Sequence, residues 1–389
     1  VSGLPLLRHQ VGQLFLVGLA GTQLDAAERA WLRLMRPSGV ILFRRNIEER
    51  TAVTALLAAA CDAAGGADEK VPCLRALDLE GGLVDRLREL VAPMPSAAAV
   101  AASGSKRDAA RHGHLIGRAT RLLGLNTTFA PVLDLALPEA RPVMRTRVYG
   151  RTANEVVAYA RPFLEALRAE RVLGCGKHFP GLGGGKLDSH LATPRILRSW
   201  QQLSDEDLEP YRALKPLLPI VMVSHASYPR VPQAGDSPAS VSRFWISDIL
   251  RKRLGFEGLV LSDDLEMGGI LNHMPIEDAA VGALVAGTDL LEICRDPALV
   301  LRAYDAVLSE AERSTAFRSI VRRAYRRVSA QKARVLDVQL PRVATSEQLS
   351  RLRSDILLFS AELEARDRSA AASKAGANAA VAAESDRHA

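Results

Sequence analysis

Aromatic residues make up only 5% of this 389-residue chain, and its four cysteines are scattered with no C-x-x-C pair. Cys61, Cys73, Cys175 and Cys294 therefore read as buried free thiols of a reducing compartment rather than as a disulfide framework. No apolar run approaches the length of a membrane span, and Leu14 to Gly21 is far too short, so no membrane partner is expected. No charged-then-apolar leader opens the sequence, and the cytoplasm is the expected compartment. A G-x-G-x-x-G turn after the first strand is missing too, which counts against an open doubly wound nucleotide-binding sheet. The net charge of +7 is modest. Much of it comes from Arg318, Arg322, Arg323, Arg326 and Arg327, spaced to clothe one side of a helix. No aromatic stacking residues interleave with them, so a solvated face is expected and nucleic acid is not an expected partner.

What the chain does have is an alternation. Short apolar, β-prone runs recur at Gln13 to Leu19, Gly39 to Phe43, Cys73 to Asp78, Thr127 to Ala130, Val172 to Gly176, Ile220 to Ser224, Gly258 to Ser262 and Thr288 to Cys294. Helical periodicity fills the gaps, as in Leu24 to Met35, Glu49 to Ala64, Ala153 to Ala169 and Asp278 to Ala286. Eight runs are the number that closes a parallel (β/α)8 barrel of the TIM type. The alternation stops near Asp296. Residues 1–296 are expected to form the catalytic barrel, 297–365 a helical extension, and 366–389 a mobile Ala-rich tail with little to bury.

Chemically capable residues gather at the C-terminal ends of these runs: Asp78, Lys177, His178, Ser224, His225 and Asp263. In a barrel those ends converge on one mouth. Lys177-His178-Phe179-Pro180-Gly181 and Asp188-Ser189-His190 are read as one loop after the fifth run, made pliable by its glycines. Asp188, two positions before His190, can orient the imidazole for general acid/base work. Asp263 and Asp264, adjacent after an apolar run, could cap a helix, bind a metal or supply a nucleophile; no further ligand set at coherent spacing supports the metal. Asp78 with Arg86, and separately Arg147, could hold hydroxyl or amide groups of a ligand, or could be surface ion pairs. Cys175 should lie inside its strand, and Ser224-His225 are chain neighbours, so acyl-transfer chemistry is disfavoured.

These segments together resemble glycoside hydrolase family 3, in particular its single-barrel bacterial β-N-acetylglucosaminidases. The likeness extends from Gly39-Val40-Ile41-Leu42-Phe43 through the Asp78 to Arg86 turn, Phe129 to Asp134, the Arg147 segment, the two loops above, Ser262-Asp263-Asp264-Leu265 and Ala286-Gly287-Thr288-Asp289. The resemblance implies that Asp263 is the nucleophile, His190 the acid/base and Asp188 its partner. It implies that Asp78, Arg86, Arg147, Lys177 and His178 hold a terminal N-acetylglucosamine, with no metal or organic cofactor. The implied partner is a carbohydrate, a GlcNAc-terminated glycan or a muropeptide of peptidoglycan recycling. Leu182, Gly184 and Leu83 depart from residues common in the family. Transfer to phosphate, β-glucosidase activity, and a non-catalytic sugar-binding barrel are the rival readings.

Overall fold

The computed structural model describes residues 4–65, 72–140, 144–185, 192–335 and 344–385. Its strands are β1 (Phe15–Gly18), β2 (Gly39–Leu42), β3 (Leu74–Leu77), β4 (Leu79–Gly81), β5 (Val84–Asp85), β6 (Thr127–Thr128), β7 (Cys175–Phe179), β8 (Ile220–Val223), β9 (Leu259–Asp264) and β10 (Leu290–Ile293). Eight of them form one parallel sheet in the order β6-β3-β2-β1-β10-β9-β8-β7. The ends of that sheet meet. Thr127 pairs with Leu173 and Val132 with Lys177, both parallel, and Cys175 N donates to Ala130 O at 2.8 Å. The result is a TIM-type (β/α)8 barrel, whose C-terminal strand ends form one mouth.

Local chemistry explains the helix bounds. Ala153–Ala169 starts where Thr152 accepts a hydrogen bond from Glu155 N and the Glu155 carboxylate accepts from Thr152 N, a reciprocal capping box. Helix Ala26–Met35 starts at Asp25, whose carboxylate accepts from Glu28 N. Ile276–Ala286 ends at Gly287 with φ +117°, a conformation that glycine adopts without strain.

Two features differ from the sequence expectation. The fifth barrel strand is shifted toward the C-terminus, so Lys177 and His178 are strand residues rather than loop residues. Hydropathy hides this because a buried lysine and histidine are tolerated only where partners neutralise or hydrogen-bond them. The segment after Asp78 is also more than a turn, since β4 and β5 pair antiparallel as a small hairpin over the mouth.

Beyond β10, helices Pro297–Arg313 and Thr315–Val335 bury Val300, Tyr304, Val307, Val321 and Val328 in the same hydrophobic core as the barrel strands. The end of the strand alternation near Asp296 is thus not the end of the core, because the eighth strand also needs its covering helix. Helix Ser346–Ser385 adds Leu352, Ile356 and Phe359 to that core and continues past Arg366 through the Ala-rich stretch. Alanine has the highest helix propensity, so a segment with little to bury can still be helical. Among the described residues no helix is long and apolar enough to cross a membrane. All four cysteines are buried free thiols. Arg322, Arg323 and Arg326 lie exposed on their helix, whereas Arg318 and Arg327 are half-buried. Arg318 bonds the Ala311 and Glu312 carbonyls and Arg327 the buried Asp289, so only part of the row is a solvated face.

Candidate active site

One cavity at the barrel mouth is lined by Asp78, Arg86, Arg147, Lys177, His178 and Asp263 together. These are six of the eight residues to which the family resemblance gives a role. The other two, Asp188 and His190, lie outside the described residues. The segment on either side of them is anchored: Leu182 N donates to Asp134 Oδ1 at 2.6 Å, and the Thr193 hydroxyl donates to Gly269 O at 2.7 Å.

Charge pairing organises one wall. Lys177 Nζ, on β7, donates to Asp78 Oδ1 at 2.9 Å and lies 2.7 Å from Glu80 Oε1. Glu80, on the hairpin, accepts two hydrogen bonds from Arg147, Nε to Oε2 and Nη2 to Oε1, each 2.8 Å. Arg86 Nη2 stands 3.5 Å from Asp78 Oδ2. Burial alone would raise the carboxyls of Asp78 and Glu80. Lys177 and Arg86 outweigh it at Asp78, and Arg147 and Lys177 outweigh it at Glu80, so both stay ionised. Burial in turn disfavours the Lys177 charge, but Asp78 and Glu80 hold its ammonium firmly protonated. The wall is therefore a fixed lattice of alternating charges, whose remaining donor and acceptor positions suit a polyhydroxylated ligand.

His178 is oriented from behind. Its Nδ1 lies 2.7 Å from Asp134 Oδ2, and its Nε2 lies 3.4 Å from Arg147 Nη2. Nδ1 thus faces the buried carboxylate and Nε2 faces the guanidinium. Asp134 also takes the Leu182 N–H, so one carboxylate joins β7 to the loop that leads toward Asp188.

Opposite stand the two carboxylates at the end of β9. The Asp263 carboxylate accepts from Asp264 N at 3.0 Å, and the Asp264 carboxylate accepts from Glu266 N at 3.0 Å. Asp264 thus closes a tight turn ahead of the short helix Gly268–Leu271, but the N-cap of that helix is Met267 with no side-chain hydrogen bond, so neither aspartate caps it. Burial pushes Asp264 up to about 7, with the charges of Glu266 and Asp263 adding to the rise and the Glu266 N–H opposing it. His225 lies buried beneath, its Nε2 2.9 Å from Asp264 O and its Nδ1 2.7 Å from Ser240 Oγ, a hydrogen-bonded rim histidine. Cys175 is buried within β7, and burial pushes its thiol well above the ordinary range, which is no setting for a nucleophile.

Sequence reasoning passed over three acids. Glu80, two positions after Asp78, neutralises both Lys177 and Arg147. Asp134 interrupts the apolar run Phe129 to Leu135, and Glu292 interrupts the apolar strand β10. The available signal was a carboxylate inside an apolar run, which must be paired or neutral. Of the three departures, Leu182 is buried and lines the cavity, Leu83 is exposed at the hairpin tip, and a side chain at Gly184 would meet Arg198 and Ile196 at 3.2 Å.

Residues 6–330 match the family described as glycosyl hydrolase family 3 N terminal domain. The chain is 34% identical over 308 residues to a beta-hexosaminidase of Idiomarina loihiensis, covering 78% of this chain and 90% of that relative. It is 36% identical over 288 residues to a beta-hexosaminidase of Pseudomonas aeruginosa, covering 73% and 82%. Among solved structures, a family 3 beta-N-acetylglucosaminidase from Paenibacillus superposes with a TM-score of 0.81 at 31% identity, over 90% of this chain and 68% of that one. A beta-N-acetylhexosaminidase from Beutenbergia cavernae superposes with a TM-score of 0.76 at 31% identity, over 84% and 98%. With a parallel barrel and a carboxylate-rich mouth to match, the chain belongs to glycosyl hydrolase family 3.

Proposed function

We propose that the protein is a retaining exo-β-N-acetylglucosaminidase that releases terminal GlcNAc through a covalent glycosyl-enzyme. The observation that carries this reading is the cavity itself, where Asp263 faces a ligand-holding wall built from Asp78, Arg86, Arg147, Lys177 and His178. The hexosaminidase names of the relatives favour the N-acetyl sugar. In the proposed mechanism the Asp263 carboxylate attacks the anomeric carbon while His190, aided by Asp188, gives a proton to the departing glycosidic oxygen. Water, deprotonated by His190, then cleaves the glycosyl ester, and two inversions leave the configuration retained. The barrel of residues 1–296 is proposed to carry this chemistry, and the helices beyond it to support the fold.

The test pairs an aryl β-GlcNAc with an aryl β-glucoside and follows the anomeric product by NMR. Faster release from the N-acetyl sugar with β-configured first product is expected, and Asp263→Asn and His190→Ala should each abolish it. Both variants remaining active would overturn the assignment. A muropeptide in which GlcNAc is linked to anhydro-N-acetylmuramic acid is the proposed natural substrate class, as cell-wall recycling would supply. Inert muropeptides alongside a cleaved aryl GlcNAc would remove that role and leave the chemistry.

A further inference from the structure

Between β9 and β10 the cavity holds an acid with no assigned part in the mechanism. Glu292 is on β10 in register with Asp264, and its side chain lines the cavity beside Met222 and Cys294. It is only 4% exposed. Its backbone is fully used, with Glu292 N donating to Ser262 Oγ at 3.0 Å and Leu265 N donating to Glu292 O at 2.9 Å. Its side chain is not. Oε1 accepts a weak hydrogen bond from Cys294 Sγ at 3.1 Å, and Oε2 is buried with no partner among the described residues. Among the described residues no cation pairs with it. A carboxyl in this position is costly unless something that enters the cavity completes it.

Resting on the glycosidase reading above, we propose that Glu292 is a further sugar-contacting residue, its free Oε2 meeting a hydroxyl of the glycoside bound in this cavity. Burial, together with the nearby carboxylates of Asp264, Asp78 and Asp263, pushes this carboxyl well above the usual carboxylate range, toward its protonated form. It therefore offers the sugar an O–H donor, which the ionised acids of the opposite wall cannot. A neutral acid also adds no negative charge beside Asp263, so it can bind substrate without disturbing the proposed nucleophile.

The experiment compares the wild-type protein with Glu292→Leu and Glu292→Gln on an aryl β-GlcNAc and its monodeoxy analogues. Glu292→Leu should raise KM about tenfold, the usual worth of one buried hydrogen bond, with a smaller change in kcat. Glu292→Gln, which keeps a donor, should recover most of that loss. One deoxy analogue should lose the same factor with the wild-type protein and nothing further with Glu292→Leu. Equal KM for all three proteins on every analogue would overturn the proposal, as would a loss confined to kcat. Should the leucine variant fail to fold, the carboxyl 13C resonance of Glu292 in the wild-type protein decides. It shifts on addition of N-acetylglucosamine if Oε2 meets the sugar, and an unmoved resonance under saturating sugar refutes the contact. Asp263→Asn separates the two readings. Its full activity would sink the glycosidase mechanism itself, whereas its inactivity beside indifferent Glu292 variants would sink this inference alone.

Discussion

Arg147 grips Glu80 with two parallel hydrogen bonds of 2.8 Å, and Lys177 lies 2.7 Å from the same carboxylate, so one buried acid neutralises two cations from different parts of the chain. Removing it would strip Arg147 of its buried partner and leave Lys177 with Asp78 alone. Glu80→Ala is therefore expected to cost ~3–5 kcal/mol in urea unfolding, as breaking a buried pair from one side does. Arg147→Lys keeps the charge but loses the planar fork, and one charged hydrogen bond is worth ~1.5–3 kcal/mol. Its kcat/KM should fall about tenfold or more, with a far smaller loss of stability than Glu80→Ala. Steady-state kinetics on an aryl β-GlcNAc checks the first, and a urea titration the second.

That relationship also shows where sequence reading stops. The barrel was legible because each strand is a short apolar run and each helix carries a separate period, and the helical pattern from Ala153 to Ala169 matches the helix to the residue. The mouth residues were legible because they end those runs. Glu80 was not, because its partners Arg147 and Lys177 are 67 and 97 positions away, separations that no local pattern encodes. The two-stranded hairpin was equally hidden, since Val84–Asp85 is too short to show any period. Lys177 and His178 were read as loop because their charges look solvated until Asp78, Glu80 and Asp134 are known to face them.

Gly181 adopts φ +143°, and a Cβ placed there would stand 2.8 Å from Asp207 Oδ1. The contact is with a carboxylate held by Arg198, which cannot easily give way. Gly181→Ala should cost ~1–3 kcal/mol of stability through backbone strain and overlap. Because Leu182 N binds Asp134 and so sets the chain that leads to Asp188, activity should fall by more than stability alone explains. Thermal melts beside kcat/KM at a temperature where the variant is fully folded make the comparison.

Asp207 itself carries a pH signature. Burial pushes its carboxyl up to about 7, against the lowering effect of Arg198. In the unfolded chain it titrates near the usual ~3.9. Between those values the folded state binds the extra proton, so the stabilisation is fully present below about pH 4 and is lost as pH rises through about 7. Asp264, raised in the same direction, contributes with the same sign. Asp207→Asn should consequently flatten part of the decline in Tm between pH 4 and pH 8, leaving the Asp264 share. A variant curve parallel to that of the wild type across this range would contradict the shift.

At the opposite end of the barrel, Asp289 is fully buried, and three elements converge on its carboxylate. Val260 N, at the start of β9, donates to Oδ2 at 2.9 Å, and Arg251 of helix Phe244–Arg253 donates to the same oxygen. Arg327, from helix Thr315–Val335, donates to Oδ1 at 2.5 Å. Asp289→Ala would strand two guanidiniums and a backbone N–H at once, a loss of ~3–5 kcal/mol. Arg327→Ala leaves Arg251 in place, and its side chain is partly exposed, so it should cost only about 1–2 kcal/mol. Because the N-terminal face of such a barrel serves stability rather than chemistry, neither change should alter kcat/KM of the folded protein by more than about twofold. Urea unfolding monitored by circular dichroism, with kinetics on the same samples, tests both halves. A large kinetic effect with unchanged unfolding would mean that the helix Thr315–Val335 acts on the mouth, and the division of labour between the two ends of the barrel would have to be abandoned.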